Sequence, residues 1–243
     1  MSPSADQRKA TSPEPVLAIQ ERYVGEAGRA YHAGRFAIPE VAYPWVSLAR
    51  ARKIAPHVRP ESTVVEFGVG HGWNLAALRC RERIGFDVGA HVAPFVRAHG
   101  ITFVERSEDV RSGSADVLIC HHVLEHVSAP AETLAELRRI LSPAGHLLLF
   151  VPYETERRFR RYTDEEPDHH LFSWTPQSLG NLVHDCGFSV DSAGLGEFGY
   201  DRIAAVWACR LRLGEVGFQL LRRLALIVRP VREVRIVATR RER

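Results

Sequence analysis

The chain has 243 residues, of which 45% are hydrophobic and 25% are charged, a composition typical of a globular domain with a sizeable core. This composition excludes overall disorder, and the lack of any run of about 18 apolar residues argues against a membrane-spanning helix. The four cysteines are scattered without paired spacing, which favours a reducing cytoplasm. Residues 1–15 are polar and contain prolines, so we expect a disordered arm that is not a secretory signal.

The net charge of +3 is unevenly distributed, because residues 210–243 carry ten arginines and only three glutamates. A basic segment of this kind can meet phosphate, acidic lipid or nucleic acid. The same segment is rich in leucine and valine. We therefore favour solvated arginines that flank apolar helix faces, with an anionic partner as the alternative.

Apolar residues recur at helical spacing through residues 16–58, where we expect two or three short helices that form a lid. After residue 60, short apolar runs alternate with helical patterns. The predicted strands are residues 62–67, 84–88, 102–105, 116–120, 146–151, 188–190 and 234–238. The predicted helices are residues 74–81, 93–98 and 130–141, and a helix with Thr175 as N-cap, Pro176 at its first position and Gly187 at its end.

This alternation predicts a single α/β domain over residues 16–243, with a doubly wound, mostly parallel seven-stranded sheet and helices on both faces. In such sheets ligands bind at the carboxyl ends of the strands. Residues 199–230 form a longer segment than a connection between two strands requires. We predict a helical insert there, before the last strand, with apolar stripes edged by arginines.

A glycine-rich loop follows the first predicted strand and precedes a helix. Its glycines at positions 68, 70 and 72 allow sharp turns and the close approach of a ligand. Asp87 ends the next strand, where an acid can bind both hydroxyls of a ribose. A nicotinamide-binding loop needs its third glycine at the position that Trp73 occupies here. Glu66, two residues before the first glycine, would repel a pyrophosphate and suits a cationic ligand such as a sulfonium or an ammonium.

Five segments resemble, in order, the motifs of class I S-adenosylmethionine-dependent methyltransferases. Residues 64–72 resemble their first motif and residues 85–88 their second. Residues 116–127 resemble the fourth strand and the Leu-Glu-His signature of a large subfamily, here Leu124, Glu125 and His126. Residues 137–145 and 172–188 resemble the segments that lead to the fifth and sixth strands.

The resemblance spans residues 60–190 and implies a Rossmann-like fold with S-adenosylmethionine as the cofactor. It implies that Glu66 and the backbone of Gly68 and Gly70 hold the methionine end. For the rest of the cofactor it implies Asp87 at the ribose, Val88 on the adenine ring, Ser107 and Glu108 at the adenine edge, and the backbone of His121 near the sulfonium.

A hydroxyl acceptor benefits from a general base, and histidine suits that role at neutral pH. The candidate catalytic residues are His126, His169 and His170, which follow the fourth and fifth predicted strands on the ligand side of the sheet. The plainer alternatives are that His126 caps the following helix and that the other two are surface residues beside the acidic loop 164–168.

A metal site is a further alternative, although we predict none. Its ligands would be the clustered residues His121, His122, Glu125 and His126, joined by His169 or Asp168, which are types that suit a divalent ion. Three tyrosines are candidates for closing over the acceptor, namely Tyr23, Tyr31 and Tyr153.

The sequence therefore predicts methyl transfer from S-adenosylmethionine to a small-molecule acceptor, on an oxygen of a sugar or secondary metabolite. One alternative keeps this chemistry and places a lipid-linked or quinone-like acceptor at a membrane surface contacted by residues 203–228. Another is a non-catalytic module that binds the cofactor or a partner, which the acids and glycines of the loop disfavour. A nucleic-acid partner is not expected, because basic charge is confined to the C-terminal segment and no aromatic-proline motif for base methylation is present.

Overall fold

The computed structural model describes residues 21–35, 37–155, 161–164 and 168–242. The predicted arm at residues 1–15 and the middle of the acidic loop 164–168 lie outside these ranges.

Seven strands form a single sheet in the order β3-β2-β1-β4-β5-β7-β6. β1 to β5 run parallel, whereas β7 is antiparallel to both of its neighbours. This confirms the predicted, mostly parallel seven-stranded sheet. The strands are β1 Thr63–Phe67, β2 Glu82–Phe86, β3 Thr102–Val104, β4 Ala115–His121, β5 Leu141–Pro152, β6 Phe188–Glu197 and β7 Arg232–Arg240.

Helices cover both faces of the sheet, as predicted. Side chains alternate along a strand, so Leu118 and Cys120 of β4 belong to one core cluster, while Val117 and Ile119 belong to the other. A third cluster joins the helical insert to an N-terminal helix through contacts among Val46, Ala205 and Phe218. The helices are α1 Gly25–Arg35, α2 Tyr43–Ala51, α3 Trp73–Ala76, α4 Ala93–Ala98, α5 Pro130–Ile140, α6 Pro176–Asp185, α7 Asp201–Arg210 and α8 Gly214–Val228.

The core cluster that contains Leu118 and Cys120 also includes the apolar face of α5 and part of α6. Its fully buried helix residues include Leu134, Leu137 and Ile140 of α5 and Leu179 of α6. α6 begins as predicted, with Thr175 accepting a hydrogen bond from the backbone of Ser178 in a capping box. Both helices therefore pack against the same face of the sheet. No helix in the described ranges is both long and apolar enough to cross a membrane.

Several predictions of element boundaries were wrong. β2 spans Glu82–Phe86 instead of residues 84–88, and β5 begins at Leu141 instead of residue 146. The helix predicted over residues 74–81 ends at Ala76, because the chain turns and the amides of Arg81 and Glu82 donate to the carbonyl of Ser62 to enter β2. β6 extends to Glu197 instead of Val190. It is an antiparallel edge strand paired with β7 alone, so polar residues on its solvent side hid its length from the sequence pattern.

Candidate active site

A cavity of about 1150 Å³ opens at the carboxyl ends of the parallel strands. The chain order reverses between β1 and β4, which places this cavity where open α/β sheets bind ligands. The loops after β1, β2 and β4 form one wall, and Tyr153 and Glu154 after β5 form another. Tyr23 and Tyr31 of the N-terminal helical region complete it, together with residues 198–202 before and at the start of α7.

The glycine loop after β1 has a backbone that only glycine adopts readily. Gly68, Gly70 and Gly72 have φ angles of 78°, 50° and 78°, in the left-handed region. A Cβ at Gly68 would lie 2.2 Å from Cγ2 of Val123 in the loop after β4. The glycines therefore let the loops after β1 and β4 approach each other at the cavity.

Asp87 is held rigidly at the end of β2. Its Oδ2 accepts a hydrogen bond from the amide of Gly70 at 2.9 Å, and its Oδ1 accepts one from the amide of Gly89 at 2.9 Å. Burial raises the pKa of this carboxyl above its ordinary value. Each carboxylate oxygen can accept more than one hydrogen bond, so the fixed group keeps acceptor positions for hydroxyls of a ligand in the cavity.

Glu66 lies one layer behind the cavity wall and is fully buried. Its Oε1 accepts a short hydrogen bond from Nδ2 of Asn74, which lines the cavity. Within the described ranges, neither Oε2 of Glu66 nor Oδ1 of Asn74 has a hydrogen-bond partner. Burial raises the pKa of Glu66 to about 8. A cationic donor that reached both oxygens would satisfy them, which fits the ammonium group of S-adenosylmethionine.

The other residues implied for the cofactor also line the cavity. Val88 is 36% exposed and directly follows Asp87. Ser107 and Glu108 lie in a short 3₁₀ turn after β3, and His121 ends β4. Their places in the fold agree with the expected adenine and sulfonium ends, but contact with the cofactor stays a prediction.

A buried charged cluster, called the floor cluster, lies at the end of β4, where its residues His121 and His122 line the cavity. Nζ of Lys53 lies 2.6 Å from Oε1 of Glu233 and 2.7 Å from Nε2 of His121. Oε2 of Glu233 lies 3.2 Å from Nε2 of His122, and Nε of Arg235 donates to Oε1 at 2.9 Å. Glu233 is fully buried, so this carboxylate depends on its four partners for compensation.

Ionisation in the floor cluster follows from this geometry. Burial lowers the pKa of Lys53 to about 8, although Glu233 acts in the opposite direction. Burial also lowers the pKa of His121 and His122, so both rings are neutral at pH 7. Burial opposes the ionisation of Glu233, but hydrogen bonds from the two histidines and the charge of Lys53 hold its pKa well below the ordinary range. The floor cluster is therefore a fixed ion pair flanked by neutral imidazoles.

A second cluster, formed by Glu125, His126 and His170, also lines the cavity. Nδ1 of His126 is 2.9 Å from the hydroxyl of Tyr23, and its Nε2 is 3.8 Å from Oε1 of Glu125. Nδ1 of His170 makes a short hydrogen bond with Oε1 of Glu154. All five side chains are among those that line the cavity.

The loop that carries His170 is tied to the Leu-Glu-His segment. The amide of Leu171 donates to the carbonyl of Glu125 at 2.8 Å. Burial lowers the pKa of His170, but the hydrogen bond to Glu154 and the charges of Glu125 and Asp168 outweigh it and raise the pKa overall. His169 contributes its carbonyl, 3.4 Å from Nδ1 of His126, and its side chain is not among those that line the cavity.

Two histidines of the site have left-handed backbone, with φ of 55° at His122 and 49° at His169. Residues other than glycine adopt this conformation at a cost of order 1–3 kcal/mol and are concentrated at functional sites. At His122 the conformation ends β4, and the amide still donates to the carbonyl of Phe150 at 2.9 Å. The turn places the neighbouring rings of His121 and His122 side by side above Glu233.

The Methyltransferase domain family matches residues 45–193, which is more than half of the chain. The chain belongs to this family. Together with the sheet order and the cavity, this match makes it a class I methyltransferase domain, and S-adenosylmethionine is its cofactor.

Two curated relatives are similar to parts of the chain. An uncharacterized 37.1 kDa protein in a Streptomyces fradiae transposon is 27% identical over 157 residues, 54% of this chain and 45% of that protein. The ubiquinone biosynthesis O-methyltransferase of Pectobacterium atrosepticum is 33% identical over 97 residues, 35% of this chain and 40% of that enzyme. The matches therefore span less than half of either relative.

Solved structures share the fold. Phosphoethanolamine N-methyltransferase 2 of Haemonchus contortus, in complex with S-adenosylmethionine, aligns with a TM-score of 0.60 and 14% identity, over 95% of this chain and 62% of that one. A methyltransferase from Bacillus halodurans aligns with a TM-score of 0.58 and 17% identity, over 80% of this chain and 99% of that one. At these identities the likeness shows the fold alone.

Sequence reasoning did not single out four residues that shape the site. Lys53 follows α2 and Glu233 lies in β7, and neither residue belongs to a sequence motif. Their pairing is therefore visible only in the three-dimensional structure. Asn74 lies two residues after the last glycine of the loop, and this proximity is the feature of the sequence that could have identified it. Glu154 stands next to Tyr153, a residue that the sequence did single out, just after β5.

Proposed function

We propose that the protein transfers the methyl group of S-adenosylmethionine to a hydroxyl oxygen of a small-molecule acceptor. The observation that carries the proposal is a single cavity in which the cofactor loop and Asp87 face the cluster of Glu125, His126 and His170. One side offers acceptor groups for the ribose and the ammonium of a cofactor. The other offers groups that assist the loss of a proton from a hydroxyl.

On the cofactor side, S-adenosylmethionine supplies a methyl group on a positively charged sulfur. Asp87 binds the ribose hydroxyls with oxygens that Gly70 and Gly89 already orient. Glu66 and Asn74 hold the ammonium end through the two oxygens that otherwise lack partners. The fixed geometry matters because in-line displacement gains most of its rate from the alignment of acceptor, methyl carbon and sulfur.

On the acceptor side, a new bond forms between the acceptor oxygen and the methyl carbon while the carbon–sulfur bond breaks and its electron pair stays on sulfur. The hydroxyl proton leaves toward the cluster of Glu125, His126 and His170. Tyr23 and Tyr31 lie against His126 as edge-on aromatic contacts. Oxygen is favoured over nitrogen as the acceptor atom, because a neutral amine attacks through its lone pair without a base, whereas a hydroxyl gains from a base that removes its proton.

A quinol-like acceptor presented at a membrane surface is a second candidate, supported by the outer face of the helical insert. Val216, Ile227 and Val228 of α8 are 81%, 75% and 84% exposed. Leu220 and Leu224 continue this stripe at helical spacing, and Ile203, Trp207 and Leu211 form an exposed stripe on α7. Exposed arginines edge both stripes, at positions 202, 210, 212, 223 and 229. The name of the Pectobacterium relative, a ubiquinone biosynthesis O-methyltransferase, agrees with a quinol-like acceptor.

The first test is calorimetric titration with S-adenosylmethionine and S-adenosylhomocysteine, followed by methyl-transfer assays with catechols, quinols and sugars. We expect micromolar binding of both cofactor forms and transfer to an oxygen of at least one acceptor class. Transfer to quinols alone would favour the second candidate. Binding without transfer to any acceptor, or transfer only to amines, would contradict the proposal and favour a binding module or an N-methyltransferase.

A further inference from the structure

Two clusters of the same composition contribute histidines to the cavity wall. Each contains two histidines and one glutamate whose ligand atoms lie within 4.8 Å of one another, one formed by His121, His122 and Glu233 and the other by Glu125, His126 and His170. Two histidines and a carboxylate are a common ligand set for divalent transition metals. The surroundings of the two clusters differ, and this difference decides which of them suits a metal ion.

The floor cluster already contains a cation. The ammonium of Lys53 lies 2.6 Å from Glu233 and 2.7 Å from His121, between two of the three would-be ligands. The guanidinium of Arg235 donates to the same carboxylate at 2.9 Å. These two positive charges compensate Glu233, so a divalent ion here would be repelled by its neighbours.

The cluster of Glu125, His126 and His170 has acidic surroundings instead. Glu125 is 1% exposed, and Glu154 hydrogen-bonds His170 directly. Asp168 is near enough for its charge to act on His170. Three carboxylates thus gather around two imidazoles, and the charges acting most strongly on His170 are all negative. A cation bound among these groups would be stabilised by them.

The hydrogen bonds of the two imidazoles orient the ring nitrogens for metal binding. Nδ1 of His126 has two partners, the hydroxyl of Tyr23 at 2.9 Å, which can donate or accept, and the carbonyl of His169 at 3.4 Å, which can only accept. Both are satisfied together when that nitrogen carries the proton. The carboxylate of Glu154 likewise favours a proton on Nδ1 of His170. In both rings Nε2 is then the nitrogen with a lone pair. Metal-bound histidines in proteins are held in this way, with the other ring nitrogen donating to a carboxylate or carbonyl.

We propose that Glu125, His126 and His170 bind a divalent transition metal ion, such as Zn²⁺ or Mn²⁺. Bond lengths of about 2.0–2.2 Å are reached by small side-chain rotations from the present separations, because the ligand atoms already lie within 4.8 Å of one another. Three protein ligands leave coordination positions open toward the cavity. An acceptor with two adjacent oxygens, such as a catechol or a vicinal diol, fits those positions.

The catalytic role of this ion rests on the proposed function, whereas its binding does not. A bound divalent ion lowers the pKa of a coordinated hydroxyl, whose proton then passes to water. The resulting oxygen forms a bond to the methyl carbon, the carbon–sulfur bond breaks, and sulfur retains the electron pair as a neutral thioether. The ion thereby replaces a histidine base, and His126 and His170 act as its ligands.

Metal binding is tested directly, on the full chain freed of metal by a chelator and saturated with S-adenosylhomocysteine. Mn²⁺ is titrated by electron paramagnetic resonance and Co²⁺ by its absorption bands. We expect one site per chain with a micromolar Kd, weakened at least tenfold in Glu125→Gln and in His170→Gln. Glu154→Gln, which changes only the partner of His170, should weaken binding about 10- to 100-fold. His122→Gln, in the floor cluster, is the matched control and should change Kd less than twofold.

Two results would overturn the metal site. One is the absence of Mn²⁺ and Co²⁺ binding by wild-type protein that still binds S-adenosylhomocysteine stoichiometrically. The other is binding that survives both Glu125→Gln and His170→Gln. Cofactor binding and thermal unfolding of each variant show that it is folded, and His170, which is only partly buried, provides a second variant if Glu125→Gln does not fold. Metal binding without methyl transfer would instead contradict the proposed function and leave the site intact.

Discussion

Lys53 and Glu233 are 180 residues apart in the chain, yet their side chains meet at 2.6 Å beneath the end of β4. The side chain of Lys53 is 15% exposed and that of Glu233 is 0% exposed. The pair joins the segment after α2 to β7 and supports the rings of His121 and His122 from below. This ion pair holds part of the candidate active site in place, and no local sequence motif predicts it.

Replacing one partner of this pair should destabilise the protein strongly. Glu233→Ala leaves the buried ammonium of Lys53 without its main countercharge, so we expect the free energy of unfolding to fall by about 3–5 kcal/mol. In the double variant Lys53→Met with Glu233→Met, most of that loss should be recovered, because no unpaired charge remains. Urea unfolding measures both. Arg59→Ala, in an exposed pair with Glu61, is the control and should cost less than about 1 kcal/mol. Equal losses in the single and double variants would contradict this account.

Removing the charge of Asp87 should weaken cofactor binding. In Asp87→Asn the side chain keeps its size but loses a charged acceptor for the ribose hydroxyls, and we expect Kd for S-adenosylhomocysteine to rise about 10- to 100-fold. Calorimetry measures the change, with Asp185→Asn on the exposed end of α6 as the control. Unchanged affinity in a folded Asp87→Asn variant would show that the ribose lies elsewhere.

Cofactor binding should release a proton from Glu66. Because burial raises the pKa of this carboxyl to about 8, it is mostly protonated at pH 7 without cofactor. Pairing with the ammonium of S-adenosylmethionine favours the carboxylate, so close to one proton should leave on binding. Calorimetry at pH 7 in two buffers of different ionisation enthalpy counts it, and Glu66→Gln, which cannot ionise, should show none of this release. The same release in wild type and variant would assign the proton to another group.

The same group sets a pH dependence of stability. A carboxyl whose pKa is raised by folding contributes stability that is present below its ordinary pKa of 4.5 and lost as pH rises through about 8. Without cofactor, wild type should therefore lose more stability between pH 5 and pH 9 than Glu66→Gln does. Urea unfolding across this range provides the measurement, and parallel pH profiles would contradict the prediction.

The exposed stripe of α8 should bind anionic membranes if the acceptor is quinol-like. We expect co-sedimentation with vesicles that contain anionic lipid, weaker binding to neutral vesicles, and a decrease with added salt because arginines edge the stripe. The double change Val216→Glu with Ile227→Glu should abolish binding, since it places charge on the apolar face. Leu195→Glu, at an exposed apolar position on β6, is the control. Background sedimentation of wild type with both kinds of vesicle would remove the membrane proposal.

The fold was predictable because its signals are local. The β-branched residues of β1, the glycines of the following loop and the amphipathic stripe of α5 each identify an element from a few neighbouring residues. Local signals also identified the residues expected to bind the cofactor, because Asp87 and Val88 directly follow β2. Motif spacing carries this information because parallel strands bring their carboxyl ends to one edge.

The remainder of the site was not predictable, because it depends on which distant segments meet. His169 and His170 are equivalent in sequence, and only the backbone turn at His169 separates a residue that offers its carbonyl from one that points its ring into the cavity. A group of histidines and acids suits a metal ion only if no cationic side chain from a distant part of the chain already lies among them. Lys53 lies among the residues of the floor cluster in this way. Such long-range pairings leave no periodic trace in the chain.

β7 follows every other strand in the sequence and is nevertheless inserted between β5 and β6. During synthesis on the ribosome, β1 to β5 and both catalytic-side loops emerge before residue 233 exists. Until that strand enters the sheet, Lys53 and the two histidines at the end of β4 lack the carboxylate that fixes them. The buried ion pair at the end of β4 can therefore form only after β7 has been translated, so we expect a chain that ends before β7 to lack a correctly assembled site.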